Sequence, residues 1–267
     1  MLNINTITIT FSLFLYFLFN INFVNSYELD YNVELSQRYV EFSGIAYCAD
    51  PIVTSNSVDN WNCKFCKNYP NVNATSFYGG AITDAKGFVA YDYDANEIIV
   101  SFSGTDPISL RNWIDDIDII QVDYPYCSDT NCKVHQGFYN TFNSVKDQVI
   151  TSVEYYKQQH SDANIAVTGH SLGASLAVLC VAELTYLGYN IDSSYNYGQP
   201  RSGNEAFEMW YKETVTGTYR LTHHKDPVPH MVPMATGFHH MPYEVCVYVY
   251  MCVCVYIYCV FCWCMHM

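Results

Sequence analysis

One serine lies between two glycines in the segment Gly169-His170-Ser171-Leu172-Gly173, which has the pattern G-x-S-x-G. The apolar residues 164–168 before it predict a short buried strand, and the almost wholly apolar residues 172–187 after it predict a buried helix. A serine on such a strand–helix turn presents its hydroxyl as a nucleophile, with the N–H of Leu172 and the helix N-terminus beside it. The alternative is a glycine-rich junction without chemistry.

Strand and helix patterns alternate around this segment. Together they predict an α/β fold, with a largely parallel central sheet and helices on both faces. We expect one domain over residues 27–244. Its helices should fall at residues 33–46 and 137–160, and its further strands at residues 88–91, 98–102, 195–198 and 219–222.

The composition argues against nucleic acids and anionic membranes as partners. Twelve Lys and Arg residues stand against 26 Asp and Glu residues, which gives a formal net charge of -14. Such a chain lacks the basic surface that a phosphate backbone or an anionic membrane attracts. We therefore expect no nucleic acid partner, and any lipid surface that it meets should be neutral.

The first 26 residues carry no charged side chain and contain a short apolar run, residues 11–19. This pattern predicts a secretory signal peptide over residues 1–26, cleaved after Ser26, and the alternative is an uncleaved N-terminal anchor. Secretion would permit disulfides and would make Asn73-Ala74-Thr75 an acceptor for N-linked glycosylation.

The last 23 residues, 245–267, form a low-complexity hydrophobic tail. From Val245 to Tyr258, residues drawn from Val, Met and Ile alternate strictly with Cys and Tyr. A translated TG/TA dinucleotide repeat would give this order, so we interpret the tail as a gene-model artefact. The alternative is a genuine membrane anchor or strand.

Eight motifs in order resemble the class 3, fungal-type triacylglycerol lipases of the α/β-hydrolase fold, over roughly residues 40–244. One is the Gly-His-Ser-Leu-Gly segment itself. The others are Trp61-Asn62-Cys63-Lys64-Phe65-Cys66, Phe102-Ser103-Gly104-Thr105, Arg111-Asn112-Trp113, Val134-His135-Gln136-Gly137-Phe138, Tyr197-Gly198-Gln199-Pro200-Arg201-Ser202-Gly203-Asn204, Asp226-Pro227-Val228-Pro229-His230 and Gly237-Phe238-His239-His240.

The resemblance implies roles for particular residues. Ser171 would be the nucleophile, Leu172 and Thr105 the oxyanion donors, and Asp226 the residue that orients the catalytic histidine. Taken alone, Thr105 reads as an ordinary turn residue and Asp226 as a solvated one. A lid is implied over Pro107 to Asp116, or else a surface helix that packs its tryptophan into the core. The apolar lid contacts would be Ile108, Leu110, Trp113 and Ile114.

The resemblance leaves the catalytic base unassigned. Four histidines follow Asp226, but His230 and His240 match family positions that are not catalytic, His239 is their neighbour, and His266 lies in the tail. In the family the base comes from a segment beyond the Gly237–His240 motif, where this chain becomes the tail. We therefore expect the hydrolase domain to be truncated at its C-terminal end and to lack this histidine.

The cysteines of the domain fall into four groups. Cys63 and Cys66 resemble a local disulfide of the family, and their C-x-x-C lacks the second pair that a zinc site needs. Cys127 and Cys132 bracket a short loop and should pair with each other. Cys180 lies within the apolar helix as a buried thiol. Cys48 matches a family cysteine whose partner lies near the chain's end, and it is left without one.

These expectations converge on a secreted serine carboxylester hydrolase that acts on acylglycerols at a neutral lipid–water interface, without a metal or cofactor. The chain as written should be inactive for lack of its base. The alternative is a non-catalytic, membrane-attached lipid-binding protein whose tail is a true anchor. The sequence leaves open both the acyl-chain length and the choice between lipid and soluble esters.

Overall fold

The computed structural model describes residues 31–49, 57–105, 119–127, 131–223 and 225–247, together with the backbone of residues 250–254 and 262–266. The expected signal peptide, residues 1–26, and the expected lid, Pro107 to Asp116, lie outside the described residues. So do the lid contacts Ile108, Leu110, Trp113 and Ile114.

Seven strands of the described residues form one sheet, in the order β1-β2-β3-β6-β7-β8-β9. The first three are antiparallel, and β3, β6, β7, β8 and β9 are parallel. The largely parallel sheet expected from the sequence is therefore confirmed. Its strands are β1 (Val72–Tyr78), β2 (Lys86–Asp92), β3 (Glu97–Phe102), β6 (Asn164–His170), β7 (Ser193–Tyr197), β8 (Thr218–His223) and β9 (Glu244–Val247). A separate antiparallel pair is β4 (Gln121–Asp123) with β5 (Lys133–His135).

Helices cover both faces of this sheet, because its central strands are apolar on both sides. In β3, Ile98 and Val100 face a core built with four helices, whereas Ile99 faces a second core built with one. The first core receives α2 (Gln136–Asn143), α3 (Lys146–Gln159), α4 (Leu172–Tyr186) and α5 (Glu205–Thr214). The second receives α1 (Val33–Ile45).

The single helix expected over residues 137–160 is two helices, α2 and α3. Ser144 ends the first, and its hydroxyl donates to the carbonyl of Thr141 at 2.7 Å and lies 2.9 Å from the hydroxyl of Thr83. A serine hydroxyl that competes for backbone groups weakens a helix. Val145 then leaves helical geometry with φ -121° and is buried in the core.

Two edge strands were not expected. β1 precedes the first predicted strand, and β9 begins at Glu244, where we expected the domain to end, so the sheet continues into the tail. Further along the tail, β10 (Tyr250–Cys254) and β11 (Cys262–His266) pair antiparallel. No helix in the described ranges has the length and apolarity needed to cross a membrane.

Both expected disulfides are present, between Cys63 and Cys66 and between Cys127 and Cys132. Cys180 is a buried thiol in α4, as predicted. Cys48 is a free thiol as well, and burial raises its pKa to about 11. At neutral pH the Cys48 thiol is therefore protonated and unreactive.

A charge network ties α1 to the antiparallel side of the sheet. Arg38 in α1 pairs with Asp92 at 2.8 Å and with Glu97, and the hydroxyl of Tyr39 donates to Glu97 at 2.5 Å. Asp92 and Glu97 are both buried. Removing the arginine would leave two carboxylates in the interior without their counter-ion.

We expect Arg38→Met to lower the free energy of unfolding by about 3–5 kcal/mol, the usual cost of removing one partner of a buried pair. The measurement is urea denaturation at neutral pH. Lys133→Met is the matched control, because Lys133 and Asp123 form a pair with side chains 43% and 80% exposed. That change should cost less than about 1 kcal/mol. Equal losses in the two variants would contradict the network's role.

Candidate active site

Ser171 occupies a strained turn between β6 and α4. Its backbone has φ 56° and ψ -125°, a conformation that costs a non-glycine residue about 1–3 kcal/mol. Two hydrogen bonds hold it: its N–H donates to the carbonyl of Tyr197 at 2.9 Å, and its carbonyl accepts from Ala174 at 3.0 Å. The structure thus places Ser171 on the strand–helix turn that the sequence predicted.

The turn depends on glycines because backbones approach closely here. A Cβ on Gly169 would lie 2.3 Å from the carbonyl oxygen of Gly173, so strand and helix meet only without side chains. A Cβ on Gly104 would lie 2.7 Å from the carbonyl oxygen of His170 and 3.1 Å from Cβ of Ser171. Gly104 therefore brings the loop after β3, with Thr105, against the serine.

Two backbone donors are available beside the serine. Leu172 is the first residue of α4, and its N–H has no acceptor among the described residues, as is normal for a helix start. Thr105 follows Gly104, and its N–H also lacks a described acceptor. The hydroxyls of Thr105 and Ser171 are buried without a hydrogen-bond partner in the part of the chain that the structure describes. Unpartnered buried groups of this kind can bind a reacting carbonyl.

His170, next to the serine, is held by Tyr47. The tyrosine hydroxyl lies 2.8 Å from Nδ1 of His170 and would be 2.4 Å from a Cβ on Gly104. It therefore contacts both the residue before Ser171 and the loop after β3. Burial lowers the pKa of His170 to about 4. The imidazole is therefore neutral at physiological pH. Sequence reasoning missed Tyr47, because a lone tyrosine after a helix carries no motif.

Asp226 lies on the loop after β8, close to the nucleophile's neighbours. Its Oδ1 accepts from the N–H of Val228 at 2.9 Å. Its Oδ2 would lie 2.6 Å from a Cβ on Gly198, a residue with φ +59° that directly follows β7. Burial raises the pKa of Asp226, an effect that the Val228 N–H and the charges of His223 and His230 oppose. A side chain at Gly198 would push this carboxylate away.

No described histidine is hydrogen-bonded to Ser171. The ring of His170 is hydrogen-bonded to Tyr47, and Ser171 Oγ has no hydrogen-bond partner among the described residues. His230 and His240 lie with ring centroids 6.4 Å apart. Burial, together with Arg220 and Arg201, lowers the pKa of His240 to about 3, so that ring is a poor proton acceptor at neutral pH. The structure brings the Ser171 hydroxyl, two backbone N–H groups and the Asp226 carboxylate together, and no described side chain is hydrogen-bonded to the serine hydroxyl.

The neutral state of His170 has a consequence for stability. Its pKa is lowered from an unfolded value of 6.5 to about 4, so below pH 6.5 the unfolded chain binds the proton more readily. Its contribution is intact above pH 6.5 and falls as the pH drops towards 4, by about 3 kcal/mol in all. We expect this decline in urea-derived unfolding free energies of the wild type, relative to His170→Gln. Parallel pH profiles for the two proteins would contradict it.

Comparison with known proteins finds relatives in sequence and in fold. The family profile of class 3 lipases matches residues 99–236. The chain is 32% identical to a lipase of Rhizomucor miehei, over 76% of this chain and 54% of that protein. It is 31% identical to secreted mono- and diacylglycerol lipase A of Penicillium cyclopium, over 66% of this chain and 58% of that protein. The structure of Rhizomucor miehei triacylglyceride lipase superposes with a TM-score of 0.72 at 29% identity, covering 80% of each chain. The chain thus spans little more than half the length of these two curated relatives.

Proposed function

We propose that this chain, which belongs to the class 3 lipase family, is built to hydrolyse the carboxylic ester bonds of acylglycerols. The observation that carries the proposal is the strained turn at Ser171, together with the nearby N–H groups of Leu172 and Thr105, which have no acceptor among the described residues. A strained nucleophile with oxyanion donors is the arrangement that acyl transfer requires.

The proposed reaction has two halves. Ser171 Oγ attacks the acyl carbonyl, and the resulting oxyanion accepts from the N–H groups of Leu172 and Thr105, with the Thr105 hydroxyl as a further donor. The ester C–O bond then breaks, the alcohol leaves with a proton, and water hydrolyses the acyl-serine. Asp226 would orient the histidine that moves these protons, and its position beside Gly198 supports that role.

The chain of 267 residues should carry out this reaction poorly by itself. Proton removal from Ser171 needs a base, and none contacts its hydroxyl among the described side chains. The oxyanion donors and substrate binding would still supply roughly 10³ to 10⁴ over water, far below an intact triad.

Secretion and a lipid substrate are parts of the same proposal. A relative named as a secreted mono- and diacylglycerol lipase supports both. Two disulfides fit an oxidising compartment. The net charge of -14 favours a neutral lipid surface over an anionic one, and apolar residues in the implied lid favour lipid over soluble esters.

We expect Ser171→Ala to change the hydrolysis of a short-chain ester by less than about a hundredfold, since losing the serine costs little when the base is absent. The measurement is initial rates of the purified protein and the variant, side by side. A larger difference would mean that the chain contains a working base. Single substitutions of His230, His239, His240 and His266 would then identify it.

A covalent probe tests the nucleophile independently of turnover. Because no base contacts Ser171 among the described side chains, we expect a reactive alkyl phosphonate to add only slowly, once and at the Ser171 peptide of the wild type, and not to Ser171→Ala. Intact and peptide mass spectrometry measure the adduct. A long-alkyl phosphonate should label faster than a short aromatic one. The reverse order would favour a hydrolase of soluble aromatic esters, and labelling elsewhere would reject Ser171 as the nucleophile.

A further inference from the structure

The outer edge of β1 is occupied by side chains along part of its length. The N–H of Ser76 donates to Oδ1 of Asp59 at 2.8 Å, and its hydroxyl donates to Oδ2 at 2.8 Å. Further along, the carboxamide of Gln148 in α3 accepts from the N–H of Tyr78 at 3.2 Å and donates to its carbonyl at 3.0 Å. These contacts satisfy the groups that a neighbouring strand would bind, so another chain cannot pair there.

Along the other half of the same edge, no side chain of the described residues forms such contacts. In an antiparallel strand, the backbone N–H and C=O groups of alternate residues point to opposite sides of the strand. The backbone groups of Val72 and Ala74 therefore point away from β2, as those of Ser76 and Tyr78 do. No described side chain is hydrogen-bonded to the backbone of either residue. An open strand edge of this kind is a template for pairing with a second chain.

The open stretch is centred on the acceptor Asn73-Ala74-Thr75, which is the only Asn-X-Ser/Thr in the 267 residues. Asn73 and Thr75 are both exposed. The Asn73 side chain has no partner among the described residues, and its backbone is fixed by the Tyr156 hydroxyl, which donates to its carbonyl at 3.0 Å. The acceptor nitrogen therefore has no hydrogen-bond partner among the described residues, and it lies on a strand that pairs with β2 along its other edge.

We propose that Asn73 carries an N-linked glycan whose function is to cover the open part of the β1 edge and prevent edge-to-edge pairing of copies. The proposal rests on the secretion proposed above. In the reaction, Asn73 Nδ2 bonds to the anomeric carbon of an oligosaccharide carried on a lipid diphosphate. The lipid diphosphate leaves, and the amide nitrogen loses one proton. A bulky, hydrated glycan beside Ala74 then occupies the space that a second strand would need.

The chain offers a matched pair of variants at one position. Thr75→Ser keeps an acceptor sequence and Thr75→Ala abolishes it, while Asn73→Gln removes the acceptor nitrogen itself. The full chain and the three variants are to be secreted from a eukaryotic host, with free thiols alkylated. Peptide mass spectrometry reads the glycan on the Asn73 peptide. Sedimentation velocity over a range of protein concentrations reads self-association.

We expect a glycan and a monomer for the wild type and Thr75→Ser. For Thr75→Ala and Asn73→Gln we expect no glycan and a concentration-dependent larger species. Asn73→Lys also lacks the glycan, but it should remain a monomer, because Asn73 is exposed and a charge on an edge strand also blocks pairing.

A secreted chain without a glycan at Asn73 would overturn the inference. So would equal association states with and without the glycan, or the same larger species for Asn73→Lys as for Asn73→Gln. A chain retained in the cell without a glycan would overturn it together with the proposed secretion. A glycosylated, secreted monomer that no phosphonate labels at Ser171 would support it while rejecting the proposed activity.

Discussion

The strained backbone at Ser171 is the constraint on which the site depends. A φ of 56° in a non-glycine residue persists only where its surroundings fix it. Here the carbonyl of Tyr197 holds the serine N–H, and Gly104 allows the loop of Thr105 to press against it. Leu172 directly follows the serine and begins α4, so its N–H lies at the helix N-terminus. One turn thereby sets the positions of the Ser171 hydroxyl and of the two N–H groups beside it.

The sheet and helices that hold this turn could largely be predicted from the sequence, because their signals are local. The strand at residues 164–168 and the apolar helix after it are uniform runs, and they appear as β6 and α4 with nearly the expected ends. The G-x-S-x-G pattern predicted that Ser171 lies on the turn between them. The predicted disulfides likewise depend on cysteines close together in the chain.

The features that could not be predicted from the sequence depend on contacts between distant segments. The break between α2 and α3 depends on Ser144 meeting Thr83, and no periodicity reports such a contact. Tyr47 belongs to no motif, and its role depends on a hydroxyl that contacts both His170 and Gly104 in the folded chain. In β1, apolar and polar residues alternate only weakly. The strand lies at an edge of the sheet, where fewer of its residues need to be apolar. Placing Asp226 beside Gly198 needed the sheet order, since β7 and β8 pair across a helix and its loops.

The parallel order of the central strands also determines when the strained turn at Ser171 forms during folding. Glu97 of β3 pairs with Asn164 of β6, so the loop that carries Thr105 meets the serine turn only after a long segment of chain has closed. Such non-local pairing forms slowly, and the entropy of the closing segment opposes it. Before that step Ser171 is an ordinary, flexible serine hydroxyl. The strained geometry of Ser171 is therefore a property of the assembled sheet, and the G-x-S-x-G segment by itself does not produce it.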